Sequence, residues 1–121
     1  MIKNITKKKL IISDYKIANT VFSRGLGLMF SRKSKFNYGL IFDLERETVI
    51  GASLHMFFVF YPINVIFLNS KKQIVDIKTD FRPFTFYSTN KKCRYIIELP
   101  KKIGLRYYSL NDRISWKNIK N

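Results

Sequence analysis

Apolar and polar residues alternate with a period of two along much of the chain, and Gly, Pro, Asn and Asp break the alternation at short intervals. Ile2 to Ile12 and Tyr15 to Val21 read as two strands around the turn formers Ser13 and Asp14, which predicts an opening hairpin. From Thr20 to Arg32 the spacing becomes helical, with Val21, Phe22, Leu26, Leu28, Met29 and Phe30 behind Thr20 as candidate N-cap. Gly25 and Gly27 weaken that helix by about 1 kcal/mol each relative to alanine. A basic, polar loop follows from Ser31 to Tyr38. Beyond it, strand signals succeed one another at Gly39 to Leu44, Val49 to Phe60, Asn64 to Leu68, Ile74 to Lys78, Phe84 to Tyr87, Tyr95 to Leu99 and Arg113 to Trp116. Asn69 to Lys72 lies between two β-branched runs and is the clearest hairpin, while Pro62, Pro83 and Pro100 mark strand ends. Short strands at this spacing predict a mainly-β fold, a jelly-roll-like β-sandwich or barrel with one short helix near residues 20–32. A chain of 121 residues has room for one core, so residues 1–121 are expected to form a single domain.

Composition adds a charge to this outline. The chain has 23 Lys and Arg against 8 Asp and Glu, a formal +15, yet its 46% apolar and 16% aromatic content exclude a disordered chain. Such a balance admits a polyanion such as RNA or DNA as partner, or simply a solvated basic surface. No apolar run reaches the length of a membrane span or of a signal peptide, so a cytoplasmic location without a membrane span is expected.

Candidate chemistry is sparse. Cys93 is the only cysteine, which excludes an intrachain disulfide and a cysteine zinc cluster, and His55 is the only histidine. Nothing in the sequence brings these two together as a nucleophile and its base. No metal and no cofactor is implied by any motif; the Gly25-x-Gly27 pair lacks the third glycine and the parallel unit of a dinucleotide loop. Glu98 stands in an apolar strand with Tyr95, Ile96, Ile97 and Leu99, where a buried carboxyl would need a cation or a raised pKa. Arg24 offers a planar fork for an anion, or for a structural ion pair with Glu98 or Asp112. Aromatic residues interleave with cations at Phe81 to Tyr87, at Lys91, Lys92, Arg94 and Tyr95, and at Arg106, Tyr107 and Tyr108. Exposed rings in such stretches stack on bases, and the Arg-Tyr-Tyr step is the least core-like of them.

Four segments carry a resemblance. Arg24-Gly25-Leu26-Gly27-Leu28-Met29-Phe30, then His55-Met56 with Tyr61-Pro62-Ile63-Asn64-Val65-Ile66-Phe67-Leu68, then Ile97-Glu98-Leu99-Pro100, then Asn111-Asp112-Arg113-Ile114 occur in that order. In order and spacing the chain from Ala18 to Trp116 resembles the family catalogued as domain of unknown function 192. The resemblance implies a mainly-β, jelly-roll-like sandwich with one short helix, and it brings no mechanism with it. The chain departs from the family pattern at Asn64, where Asp is usual, at Lys102, which replaces a Gly, and at Asn111, which replaces the Gly before Asp. The last two read as turn variations, since Asn tolerates left-handed backbone.

Three functions follow as expectations. The first is a non-catalytic small-ligand or partner-binding module, with Arg24, His55, Asn64, Glu98 and Asp112 as a polar cluster drawn from the resembling segments. The second is a nucleic-acid-binding domain using Lys91, Lys92, Arg94, Arg106, Tyr107 and Tyr108. The third is an enzyme with Glu98 or Asp112 as its acid or base.

Overall fold

The computed structural model describes residues 1–18, 33–48, 53–55 and 61–116, with the backbone alone for 53–55. The helix expected near residues 20–32 lies outside the described residues. Ten strands are described: β1 (Ile2–Asn4), β2 (Lys9–Ile12), β3 (Tyr15–Ala18), β4 (Gly39–Thr48), β5 (Ser53–His55), β6 (Ile63–Leu68), β7 (Ile74–Phe81), β8 (Phe86–Ser88), β9 (Cys93–Pro100) and β10 (Ile114–Trp116). A single 3-10 turn, Lys33–Lys35, precedes β4. The fold is mainly β, as the alternation predicts.

A five-stranded sheet in the order β3-β4-β9-β6-β7 forms the body, with a three-stranded sheet β10-β1-β2 and a two-stranded ribbon β5-β8. In β6 every residue is buried, and β9 is buried from Ile96 to Pro100, because the central strands are covered on both faces. Alternation then sorts the side chains. One face carries Leu40, Phe42, Ile63, Val65, Phe67 and Ile96 into a core with Phe36, Tyr61 and Phe81. The other carries Ile41, Ile66, Leu68, Ile97 and Leu99 against Ile2, Ile11 and Ile114 of the three-stranded sheet. Each such side chain contributes about 1.5–3 kcal/mol when fully buried, so this sandwich interface is a main source of stability.

The opening of the chain departs from expectation. The hairpin is formed by β1 and β2 around residues 5–8, where Asn4 Oδ1 accepts the Lys7 amide at 3.0 Å and Lys8 adopts φ 55°. At Ser13 and Asp14 the chain instead leaves the three-stranded sheet and enters the other as β3, parallel to β4, and the Asp14 carbonyl accepts the Gly39 amide at 2.9 Å. Local turn chemistry marked a turn there, but the apolar residues Ile11 and Ala18 are drawn to opposite sides of the large sheet. The β6–β7 hairpin at Asn69 to Lys72 matches the sequence reading, with Asn69 Oδ1 accepting the Lys71 and Gln73 amides. Of the long Val49 to Phe60 strand, only Ser53–His55 falls among the described residues.

Gly39, the first residue of β4, packs tightly against the three-stranded sheet. A Cβ there would meet Ile2 Cδ1 at 2.5 Å and Ile12 Cγ2 and Leu99 Cδ2 at 3.4 Å. Gly39→Ala is expected to destabilise the fold by about 1–3 kcal/mol. Adding Ile2→Val, which deletes the clashing Cδ1, should recover part of that loss, so that thermal denaturation of the double variant shows less destabilisation than the two single changes added together.

Candidate functional site

At the end of the large sheet where Ile63 pairs with Pro100, a groove of about 790 Å³ opens. Its floor and walls are Phe36, Tyr61, Pro62 and Pro100, with Ser34 and Asn37 beside them, and Lys33, Lys101 and Lys102 carry its charge. Tyr61 and Phe36 are buried beneath it, with ring centroids 5.9 Å apart, so the apolar floor is fixed by the core itself. Lys101 Nζ lies 3.1 Å from Asp80 Oδ1, whereas among the described residues no carboxylate pairs with Lys33 or Lys102. The ion pairs with Lys101 and Arg82 hold the Asp80 carboxyl below its ordinary range.

The wall that carries Lys101 and Lys102 is fastened from behind by Asn64. Its Nδ2 donates to the Lys101 carbonyl at 2.8 Å and to the Ile103 carbonyl at 3.1 Å, while its Oδ1 accepts the Asp80 amide at 2.9 Å. Tyr108 donates its hydroxyl to the same Ile103 carbonyl at 2.7 Å, and burial, partly offset by Asn64, pushes that phenol up to about 12. An aspartate at position 64 could not supply the two donors. The amide is therefore the form this connection needs.

Asp112 performs a similar task elsewhere. Its Oδ2 accepts from Asn4 Nδ2 at 2.8 Å and the Ser109 amide at 2.9 Å, with Lys7 Nζ at 3.1 Å. Burial pulls its pKa upward, but the Asn4, Lys7 and Ser109 contacts outweigh it and hold the carboxyl below its ordinary value. The preceding Asn111 has φ 74°, the left-handed turn expected where Asn replaces Gly.

Glu98 lies apart from both. In β9 it is paired with Leu40 and Val65, which places it on the face of the sheet opposite Asn64, whose partner is Leu99. Its exposure is 8%, and among the described residues nothing donates a hydrogen bond to it. Burial pushes its pKa up to about 8, and its proximity, after burial, helps to raise that of Tyr38. The polar cluster expected from the sequence is therefore not one site: Asn64 and Asp112 share one side of the large sheet and Glu98 occupies the other. Arg24 lies outside the described residues, and His55 is placed by its backbone alone, opposite Phe86. Cys93 is buried, which pushes its thiol up to about 11 and keeps it protonated at neutral pH.

The basic and aromatic residues also separate. Tyr108 is fully buried with its hydroxyl bonded, and Tyr107 is half-buried against the same core, so the Arg-Tyr-Tyr step is core-like, contrary to the sequence reading. Arg106 rests over the Tyr107 ring at 5.3 Å. Lys91 and Lys92 are exposed in the turn before β9, and Arg94 binds Asp43 through Nε at 2.6 Å and Nη2 at 3.2 Å. Sequence reasoning missed the groove, because Lys33, Tyr61 and Lys101 come from three loops with no shared pattern.

Two outcomes follow from these placements. Asn64→Asp should destabilise the protein by about 2–3 kcal/mol in urea denaturation, since it sets a carboxylate against two carbonyls. For Glu98, the folded pKa of about 8 lies above the ordinary 4.5, so the folded chain holds a proton that the unfolded chain has lost between these values. Its contribution is present in full below pH 4.5 and is lost as pH rises to about 8. Glu98→Gln, neutral throughout, should gain on the parent by on the order of 1 kcal/mol per pH unit across that window, read from paired denaturation curves.

The family described as Uncharacterized ACR, domain of unknown function 192, matches residues 2–107. A UPF0127 protein of Thermococcus sibiricus is 42% identical over 120 residues, covering 97% of this chain and 75% of that protein. A UPF0127 protein of Pyrococcus furiosus is 41% identical over 117 residues, covering 96% of this chain and 97% of its own length. Among solved structures, a Sinorhizobium meliloti protein named as a candidate transcription regulator aligns with a TM-score of 0.75 at 22% identity, covering 84% of this chain and 79% of that one. A Novosphingobium aromaticivorans protein of unknown function aligns with a TM-score of 0.72 at 19% identity, covering 84% and 74%. These two share the fold. With the matched span, the relatives and the strand architecture in agreement, the chain belongs to the domain of unknown function 192 family.

Proposed function

We propose that the protein is a non-catalytic binding module whose groove holds a small anionic ligand with an apolar body. The observation that carries this reading is the groove's composition: Phe36, Tyr61, Pro62 and Pro100 offer an apolar bed, and Lys33 and Lys102 stand over it without carboxylate partners among the described residues. Its volume of about 790 Å³ is of the size that small-molecule sites have. Charge and apolar surface act on different parts of one ligand: the rings remove its body from water, and the ammonium groups orient its acidic head. Asn64 serves the site indirectly, by fixing the carbonyls of the strand end on which Lys101 and Lys102 are carried.

Titration with the aromatic sulfonate 1-anilinonaphthalene-8-sulfonate tests this directly. Saturable enhancement at one equivalent is expected, competed by arylcarboxylates. The double substitution Lys33→Ala with Lys102→Ala should weaken it about tenfold, equivalent to ~1.4 kcal/mol, with an unchanged circular dichroism spectrum. Equal affinity of parent and double variant would sink the reading.

A further inference from the structure

The groove occupies one end of β6 and β9. At the other end, where Leu68 pairs with Tyr95, two turns lie: the hairpin turn of residues 69–73 between β6 and β7, and residues 89–92, which lead from β8 into β9. Glu47 lies between them. It accepts the Ser70 amide at 2.7 Å, and its carboxyl is held below its ordinary value first by that bond and further by the charges of Lys92 and Lys71, so both lysines are within electrostatic reach of one carboxylate. Lys72, at φ 62°, places its ammonium 4.1 Å from the Trp116 ring centroid and 5.8 Å from that of Tyr95. The two rings meet edge to face at 5.0 Å, and the Arg94 guanidinium stands 5.1 Å over Tyr95.

The carboxylates at this end are already engaged or outnumbered. Asp43 is bound by both arms of Arg94, Glu47 is bonded to Ser70, and Glu45 is exposed. Against these three stand Lys71, Lys72, Lys91, Lys92, Arg94 and the exposed Arg46. Lys72 in particular has its charge on an aromatic face instead of a carboxylate. An approaching phosphate can draw that ammonium away and leave the indole face open to a base, so one movement serves both parts of a nucleotide.

We propose that these two turns, with Tyr95 and Trp116 beside them, form a binding surface for single-stranded nucleic acid. Lys91, Lys92 and Arg94 belong to it as the sequence suggested; Arg106, Tyr107 and Tyr108 do not, and Lys71, Lys72 and Trp116 take their place. A lipid surface is a poorer fit. Membrane-bound basic surfaces insert apolar side chains beside their cations, and the large exposed apolar residues among those described, Ile5, Leu10, Ile17, Phe84, Phe86, Leu105 and Leu110, lie outside both turns.

Trp116 is the only tryptophan, so its emission reports on this surface alone. A labelled oligouridylate of about 15 nucleotides should bind with anisotropy rising as Trp116 emission changes. Affinity should fall steeply between about 50 and 200 mM salt. Changing Lys71, Lys72 and Lys92 together to Ala should weaken binding at least tenfold and lower the salt slope by about 2, the value for three phosphate contacts on a single strand. Lys33→Ala with Lys102→Ala, at the groove, should leave RNA affinity as it is. Binding that leaves Trp116 emission unaltered, or that the triple variant keeps, or that appears only with phosphatidylserine vesicles, overturns the proposal.

Discussion

The described strands are arranged around one, β9, that is buried on both faces from Ile96 to Pro100. β9 is paired on one edge with β4 and on the other with β6, and the packing of Ile96 and Phe67 on one face and Ile97 and Leu99 on the other leaves it no route to solvent along most of its length. A strand held this way fixes the register of its neighbours, because a slip of one residue would exchange the two cores. It also fixes the chemistry of Glu98. Placed between Leu40 and Val65, this carboxyl has its pKa pushed up by burial to about 8, and the sheet can keep it only as a protonated group or against a positive charge.

The long connection from Lys101 to Asn111 poses the opposite difficulty. It covers the core formed by Ile103 and Tyr108 without forming a strand or helix; its turns pair the Ile103 and Tyr107 amides with the Pro100 and Gly104 carbonyls, and other backbone groups find partners in side chains. Asn64 binds two of its carbonyls, Tyr108 one, and Asn4 another, while Asp112 receives the Ser109 amide. That explains why polar residues in the resembling segments are buried. They fasten a loop that backbone hydrogen bonds tie only at its turns, and by doing so Asn64 shapes the groove's outer wall.

Much of the fold could be read from alternation. The β6–β7 hairpin, the run from Ile63 to Leu68 and the strand around Glu98 all follow from β-branched residues and turn formers that need no distant partner to be recognised. The opening hairpin was misplaced because Ser13 and Asp14 are as good a turn as residues 5–8, and only the packing of Ile2 and Ile11 against the large sheet decides between them. The candidate site was far less legible. Alternation shows that Asn64 and Glu98 are in strands, but which faces they share depends on the pairing of Val65 with Glu98, a contact across 33 residues that no local pattern encodes. Tyr107 and Tyr108 looked superficial beside Arg106, since a loop sequence does not announce that it crosses a core.

The distribution of charge follows from how few carboxylates there are and what each is used for. Asp43 is bound by Arg94, Asp80 by Arg82 and Lys101, and Asp112 by Lys7; Asp76 accepts the Tyr87 hydroxyl, Glu47 holds Ser70, and Glu98 is buried in the sheet. Among the described residues, no such task is seen for the exposed Asp14 and Glu45. Structural demand has thus engaged most of the negative charge among the described residues, in a chain whose formal balance is +15. The excess is not evenly spread. At the two turns at one end of β6 and in the groove at the other, lysines outnumber the carboxylates beside them, a shortage the fold itself imposes.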